Sequence, residues 1–247
     1  MEFARYFNKN LGETPLECLN RFKAENPEYA GLTATYAGRL DPAAEGEMLF
    51  LFGDLVHKKD EYLSHNKTYT AVFALGVSTD TGDLLGLPVK LVKSVPDLDE
   101  EKSKKVLENI KHITSQKYPA YSSKPVDGKP LFVHAREGNK VERPSRAIEI
   151  FSCDLVETRI ISREDLLTRV KKVCDLVKGD FRQKEIVQAW QEIAEKQRLS
   201  ERFLLVTISL GVSSGTYIRS LTEQFEEIFN IPSVVFELVR NSVENNI

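Results

Sequence analysis

The spacing of apolar side chains predicts helices and strands in irregular alternation. A first helix begins at the capping box of residues 14–17, with Pro15 at its first position, and ends at residues 26–27. Alternation predicts a strand over 67–76, in which every second residue from Tyr69 to Leu75 shares one face. Further strands are predicted over 47–52, 203–212 and 234–240, and further helices over 97–113, 162–179, 183–196 and 217–229. Because no regular strand–helix–strand run occurs, we predict an α+β fold with a mainly antiparallel sheet.

Residues 118–146 form a long, weakly periodic segment that is rich in proline and basic side chains. A long loop inside a compact domain is more often functional than not. Its basic side chains are Lys124, Lys129, Arg136, Lys140, Arg143 and Arg146. Phosphate binding and a solvated loop surface are both consistent with these charges.

The composition narrows the class of protein. The length of 247 residues allows one large domain or two small ones, and the hydrophobic fraction of 41% is enough for a core. The net charge of −3 argues against indiscriminate nucleic-acid binding, but a local basic groove is compatible with it. The sequence has no apolar stretch of membrane length, its first residues lack the pattern of a signal peptide, and its three scattered cysteines predict reduced thiols in the cytoplasm. The four histidines have no metal-binding spacing, so we expect no structural metal.

Three segments contain residues suited to chemistry. Residues 36–46 place Asp41-Pro42 between two glycines and before a hydrophobic strand. Asp41 is then either a catalytic carboxylate or part of an ordinary Asp-Pro turn. Residues 67–69 open a strand with a tyrosine that is either functional or packed in the core. Residues 211–220 place glycine and serine before a helix, a pattern that binds phosphate or caps the helix. No nucleotide-binding loop motif supports a cofactor.

Taken together and in this order, the segments resemble the motifs of the TruB family of tRNA pseudouridine synthases. Residues 38–46 follow the family's catalytic motif, residues 67–69 its second motif, and residues 75–83 the stretch after it. The resemblance continues at Lys9, Gly12 and Thr14, at 121–124, 128–129 and 135–138, at 215–219, and at Leu238 and Arg240. Any one match is weak, but six in the same order are not expected by chance.

The chain also departs from the family pattern. Tyr36 stands where the bacterial members have a histidine beside the flipped nucleotide, Thr35 replaces the preceding glycine, and Lys124 is one place early. The helical pair at 160–200 has no counterpart in the compact bacterial enzymes, so we expect a helical insertion. We expect one catalytic domain over 1–247, without the C-terminal PUA domain of the family. These departures concern the choice of substrate more than the chemistry.

The resemblance implies a pseudouridine synthase fold that isomerises uridine in RNA, at uridine 55 of the tRNA T-loop, without cofactor or metal. It implies that Asp41 acts at the ribose as nucleophile or proton abstractor and that Arg219 keeps Asp41 ionised. It also implies that Tyr69 stacks on the base and accepts the C5 proton, directly or through water. The implied substrate-binding residues are Tyr36, Arg39, Tyr217, Leu238 and Arg240 around the pocket, and Lys124, Lys129 and Arg136 in a thumb-like loop over 118–146. We expect a monomer that binds the tRNA T-arm and no membrane.

Two other functions are compatible with the sequence. The same chemistry could act on another RNA, such as ribosomal RNA, or the scaffold could be a non-catalytic RNA-binding or tRNA-folding protein. The presence of Asp41, Tyr69 and Arg219 together disfavours the second, because binding alone does not need all three. Basic residues of the helical pair either contact RNA phosphates or form a solvated face; they are Lys171, Lys172, Lys178, Arg182 and Lys184.

Overall fold

The structure is a computed structural model, and it describes residues 3–93 and 100–244. Within these residues the strands are β1 (Phe3–Lys9), β2 (Ala34–Ala37), β3 (Glu45–Phe52), β4 (Asn66–Leu75), β5 (Val77–Thr79), β6 (Pro88–Leu91), β7 (Ser115–Lys117), β8 (Pro125–Val126), β9 (Lys129–Pro130), β10 (Ser145–Ala147), β11 (Ile150–Ser162), β12 (Arg202–Val212) and β13 (Ser233–Glu244). The α-helices are α1 (Pro15–Glu25), α2 (Lys59–Leu63), α3 (Glu100–Lys111), α4 (Leu131–Arg136), α5 (Arg163–Leu176), α6 (Gln183–Glu195) and α7 (Leu221–Phe229). Short 3₁₀ helices cover Pro27–Tyr29, Gly53–Lys58 and Ile218–Ser220. The predicted α+β class is confirmed, and none of the described helices is long and apolar enough to span a membrane.

One mixed sheet forms the centre of the molecule. Its strands follow the order β1-β3-β13-β4-β12-β11, and β2 also pairs with β3. The pairs are antiparallel except β3 with β13, which run parallel. The last strand of the described chain therefore lies in the middle of the sheet, between β3 and β4. This topology brings residues near position 45 into contact with residues near position 240.

Helices cover both faces of this sheet. The predicted alternation along β4 is confirmed, because every second residue from Tyr69 to Leu75 belongs to the core of one face. Helices α1, α3 and α7 complete that core with Cys18, Phe22, Leu107, Ile110, Leu221 and Phe225. The intervening Val72 and Ala74 pack on the other face with the α5–α6 pair, in which Trp190 is 1% exposed. The helical pair is therefore a layer of the fold.

The predicted starts of two helices are confirmed. The Thr14 hydroxyl accepts from the Glu17 amide and the Glu17 side chain accepts from the Thr14 amide, so the capping box at α1 is complete. The same reciprocal pair forms at α5 between Ser162 and Asp165. Each box satisfies amides that the first helical turn leaves without partners. Local sequence signals therefore fix both helix starts.

Three elements differ from their predictions. The segment 118–146 contains the β8–β9 hairpin, α4 and part of β10; Asp127 and Gly128 form the hairpin turn with φ of 48° and 79°, as two-residue turns require. The helix predicted from Tyr217 is 3₁₀ over Ile218–Ser220 and becomes α-helical at Leu221. The helix predicted over 97–113 corresponds to α3, which the structure describes over Glu100–Lys111. Residues 97–99 and the side chain of Val106 lie outside the described parts.

Gly46 of β3 pairs with Arg240 of β13 and leaves no room for a side chain. Its φ is +111°, and a Cβ at this position would lie 2.2 Å from the carbonyl oxygen of Arg240. Gly46→Ala should lower the free energy of unfolding by about 3 kcal/mol, because the backbone of one strand must move. Urea denaturation measures this loss. Gly31→Ala is the control, since its Cβ would meet nothing within 4 Å; equal losses for the two variants would contradict the prediction.

Candidate active site

Asp41 lies in the short loop that connects β2 to β3. The Ala44 amide donates to the carbonyl oxygen of Asp41 at 3.0 Å and closes a tight turn. The Gly12 amide donates to the carbonyl oxygen of Pro42 at 2.9 Å and ties the loop to the segment before α1. Gly38, with φ of +89°, lets the chain turn from β2 into the loop. The Asp41 side chain is held at the edge of a cavity and is 39% exposed.

A buried guanidinium faces this carboxylate. Arg219 comes from the 3₁₀ turn after β12, and its side chain is 6% exposed. Its Nε donates to Asp41 Oδ2 at 2.6 Å and lies 3.5 Å from Asp83 Oδ2. Its two Nη groups donate to the carbonyl oxygens of Thr81 at 2.7 Å and Tyr121 at 3.3 Å. These contacts fix the plane of the guanidinium against Asp41.

The charge of Arg219 is stabilised where it lies. Burial lowers the pKa of Arg219, but the carboxylates of Asp41 and Asp83 raise it more, so the net shift of this pKa is upward. The guanidinium therefore remains a permanent ion-pair partner for Asp41.

Asp83 is a second carboxylate at this site, which the sequence placed in a motif without giving it a role. It is 6% exposed and accepts hydrogen bonds from the Thr81 hydroxyl at 2.8 Å and the Leu85 amide at 3.0 Å. Burial raises the pKa of Asp83, and the charge of Arg219 opposes this rise. In the sequence, the motif over 75–83 was the only indication that Asp83 is functional. A motif does not show that Asp83 lies beside Arg219 in the fold.

Tyr69 and Arg240 are neighbours on the two central strands. Tyr69 of β4 is in register with Arg240 of β13. Burial raises the pKa of the Tyr69 phenol, while the charge of Arg240 and its hydrogen bond oppose the rise. Arg240 is 1% exposed and donates to the carbonyl oxygens of Glu47 at 2.6 Å and Arg39 at 3.2 Å. Leu238, two positions earlier on β13, lines the same cavity.

Tyr217 enters the site just before Arg219. The Tyr217 amide donates to Gln116 Oε1 at 3.0 Å, and the Tyr217 carbonyl oxygen accepts from Gln116 Nε2 at 3.3 Å. The Gln116 side chain therefore holds the backbone of Tyr217 through both of its polar groups. The Tyr217 ring packs edge-on against Tyr118, with 5.8 Å between the ring centroids. Burial, and then the charge of Asp41, raise the pKa of Tyr217, so its phenol is neutral near pH 7.

These side chains line one cavity of about 720 Å³, a volume typical of small-ligand sites. The predicted site residues that line it are Arg39, Asp41, Tyr69, Arg136, Tyr217, Arg219, Leu238 and Arg240. Lys67 and Arg146 line it as well, and so does the α5–α6 connector, through Asp180, Phe181 and Arg182. The sequence did not indicate that the helical pair reaches this site.

Three predicted substrate-binding residues are not part of the cavity wall that the described residues form. Tyr36 lies on β2, where pairing with β3 directs its half-buried ring into the core. Lys124 Nζ lies 5.2 Å from the ring centroid of Tyr118. Lys129 pairs with Glu137 at 3.2 Å on the surface. For these three, strand geometry and local pairing determine where the side chain points.

Lys67 is a buried cation beside the cavity. Its Nζ donates to the carbonyl oxygens of Leu63, at 3.1 Å, and His65, and burial together with the charges of Arg240 and Arg146 lowers its pKa to about 8. The pKa of lysine in an unfolded chain is about 10.4. Between pH 8 and 10 the unfolded state therefore binds more protons than the folded state, and the contribution of Lys67 to stability increases with pH.

The free energy of unfolding of the unaltered protein, minus that of Lys67→Met, should accordingly rise between pH 8 and 10. Urea titrations at several pH values measure this difference. A difference that stays constant or falls over the interval would contradict the lowered pKa of Lys67.

Comparison with known proteins identifies the family. The model of the TruB family pseudouridylate synthase (N terminal domain) matches residues 29–181, which is more than half of the chain. The tRNA pseudouridine synthase B of Francisella tularensis subsp. novicida is 36% identical over 138 residues, covering 56% of this chain and 45% of that enzyme. The tRNA pseudouridine synthase B of Pediococcus pentosaceus is 28% identical over 205 residues, covering 83% and 56%. The chain thus spans about half the length of the relatives it matches.

Solved structures share the fold. A chain of a Cbf5-Nop10-Gar1 complex superposes with a TM-score of 0.55 at 17% identity and covers 97% of this chain and 48% of that chain. A chain of the archaeal box H/ACA sRNP Nop10-Cbf5 complex gives a TM-score of 0.51 at 15% identity, covering 98% and 47%. This similarity extends over almost the whole sheet and its helices, and the family model covers the loop that carries Asp41. The chain belongs to the TruB family of pseudouridylate synthases.

Proposed function

We propose that this protein isomerises uridine to pseudouridine in tRNA. The observation that carries the proposal is the ion pair of Asp41 with Arg219 at the cavity, in which the carboxylate is partly exposed and the guanidinium is buried. Family membership and the names of the relatives support the same reaction. The reaction breaks the C1′–N1 bond, joins C1′ to C5, and moves one proton from C5 to N1. It consumes no other reactant.

Asp41 acts on the ribose of the everted uridine. Its carboxylate attacks C1′ or removes a proton from the sugar, and both routes require the ionised form. Arg219 holds the carboxylate in place, because its Nε donates to Asp41 Oδ2 at 2.6 Å in a charge-assisted hydrogen bond. The exposed part of Asp41 remains available to the substrate.

Tyr69 stacks on the target base and relays the C5 proton through water. Tyr69 is 6% exposed, and its raised pKa keeps the phenol protonated near pH 7. A protonated phenol accepts a proton at its oxygen only while it passes its own proton to a neighbour, so water completes the relay. Tyr217, Leu238 and Arg240 shape the pocket around the base.

Basic side chains at the cavity contact the RNA backbone. Arg136 and Arg146 line the cavity, and contacts of arginine with phosphate contribute strongly to RNA affinity. The segment 118–146 supplies both arginines and serves as a thumb-like grip, with Lys124 and Lys129 outside the cavity wall that the described residues form. Eversion of a stacked uridine costs a few kcal/mol, which such contacts offset.

The proposed target is uridine 55 in the T-loop, modified by a monomer in the cytoplasm. The names of the relatives specify tRNA, and the motif resemblance supports the T-loop position.

Incubation of the purified protein with uridine-containing tRNA transcripts, followed by mapping of pseudouridine, tests this proposal. We expect product at position 55 and none in a transcript that has cytidine there. Product at another position, or in ribosomal RNA alone, would change the proposed substrate. RNA binding without product on every RNA would instead identify a non-catalytic RNA-binding or tRNA-folding protein.

A further inference from the structure

The connector between α5 and α6 reaches the catalytic cavity. Asp180, Phe181 and Arg182 line it together with Asp41 and Arg219. The two helices themselves pack on the face of the sheet opposite the core that contains the Tyr69 ring. The connector therefore links this helical layer to the site of chemistry.

Arg182 is turned inward at the end of this connector. Its Nη1 donates to Asp80 Oδ2 at 2.8 Å, and its side chain is 17% exposed. Its guanidinium carbon lies 4.6 Å from the ring centroid of Tyr121, and the Tyr121 hydroxyl donates to the same Asp80 oxygen at 3.0 Å. Arg182 therefore contacts the face of the Tyr121 ring directly. It also donates to the same Asp80 oxygen as the Tyr121 hydroxyl does. This placement differs from the solvated face that was one of the two interpretations of its charge from the sequence.

The residues that Arg182 holds are those that orient Arg219. The Tyr121 carbonyl oxygen accepts from Arg219 Nη2 at 3.3 Å. The carbonyl oxygen of Thr81, next to Asp80 in the chain, accepts from Arg219 Nη1 at 2.7 Å. These two carbonyls set the plane of the guanidinium that presents Nε to Asp41. A shift of Asp80 or Tyr121 therefore tilts Arg219.

The backbone of the connector is braced in a way that keeps Arg182 in place. Gln183 Nε2 donates to the carbonyl oxygen of Gly179 at 2.8 Å, and Gln183 Oε1 accepts from the Phe181 amide at 3.0 Å. Arg182 has φ of +62°, in the left-handed region that residues other than glycine rarely adopt. Contacts around it must therefore maintain this conformation.

We propose that Arg182 is a positioning residue, which acts through Asp80 and Tyr121 to hold Arg219, and with it Asp41, in the reactive orientation. The inference rests on the proposed function. Arginine suits this role because its planar guanidinium stacks on a ring and donates to a carboxylate at the same time, whereas the lysine ammonium does not.

Arg182→Ala in the full chain tests this role. We expect kcat on the tRNA transcript to fall about 10–100-fold, because a misplacement of about 1 Å costs about 100-fold, while KM stays within about threefold. Arg182→Lys keeps the charge beside Asp80 without the planar fork, so its kcat should lie between those of the unaltered protein and Arg182→Ala.

Arg169→Ala on α5 is the matched control. Arg169 is also largely buried, pairs with Glu237 at 3.6 Å and has its guanidinium 5.8 Å from the Phe236 ring, but it is not among the described residues that line the cavity. We expect Arg169→Ala to lose similar thermal stability and to keep kcat within about twofold. Should Arg182→Ala not fold, the comparison of Arg182→Lys with Arg169→Lys makes the same distinction.

Equal kcat for the Arg182 and Arg169 variants, or a loss confined to KM, would overturn the role of Arg182 and leave the proposed function intact. Absence of pseudouridine with the unaltered protein would overturn the proposed function, and with it this inference. The two failures are therefore distinguishable in one experiment.

Discussion

Replacing Asp41 with asparagine should lower kcat for pseudouridine formation at least about 1,000-fold. The amide has the shape of the carboxylate, but it neither attacks C1′ nor takes a proton from the sugar. RNA affinity should stay within a few fold, because the proposed phosphate contacts come from other residues at the cavity, Arg136 and Arg146. Single-turnover assays and filter binding measure the two quantities separately.

Asp54→Asn is the matched control for this substitution. Asp54 is exposed in the 3₁₀ helix that follows β3 and is not among the described residues of the cavity wall. It should retain full activity. Turnover by Asp41→Asn at the rate of this control would show that another group performs the chemistry.

Arg219→Met should abolish activity and destabilise the fold together. The substitution leaves the buried Asp83 without its cationic partner, and removal of one member of a buried ion pair costs about 3–5 kcal/mol. Asp41 also loses its donor at 2.6 Å, so kcat should fall about as far as in Asp41→Asn. Urea denaturation and single-turnover assays measure the two losses.

A second substitution separates these two effects. Adding Asp83→Asn to Arg219→Met removes the unpaired buried charge, so most of the lost stability should return. Activity should not return, because Asp41 still lacks its partner. Recovery of turnover in the double variant would contradict the role of Arg219, and an unchanged stability of Arg219→Met would contradict the buried ion pair.

The elements that the sequence predicted well have local signals. The boxes at Thr14 and Ser162 each act within one helical turn, and the period of two along β4 reflects a strand with a buried face. Strand β11 lacks such a signal. It lies at the edge of the sheet, and its apolar residues Phe151, Val156 and Ile160 are exposed, so pairing with β12 rather than its own pattern makes it a strand.

The sequence indicated individual residues of the site but not the contacts between them. The motif resemblance indicated Asp41 and Arg219, whose contact joins positions 178 apart in the chain. No motif pointed to the pairing of Arg182 with Asp80, at a separation of 102. Such pairings depend on the folded arrangement of the sheet and the helical layer, which the spacing of residues along the chain does not encode.

The position of β13 in the sheet has a consequence for synthesis of the protein. When the ribosome has made residue 230, the chain already contains Asp41, Tyr69 and Arg219, but β3 and β4 have no strand between them. These two strands do not pair with each other in the described sheet, and β13, with Leu238 and Arg240, lies between them. Pairing of such distant segments is a slow step of folding. The cavity wall around Asp41 is therefore complete only when β13 has paired with β3 and β4.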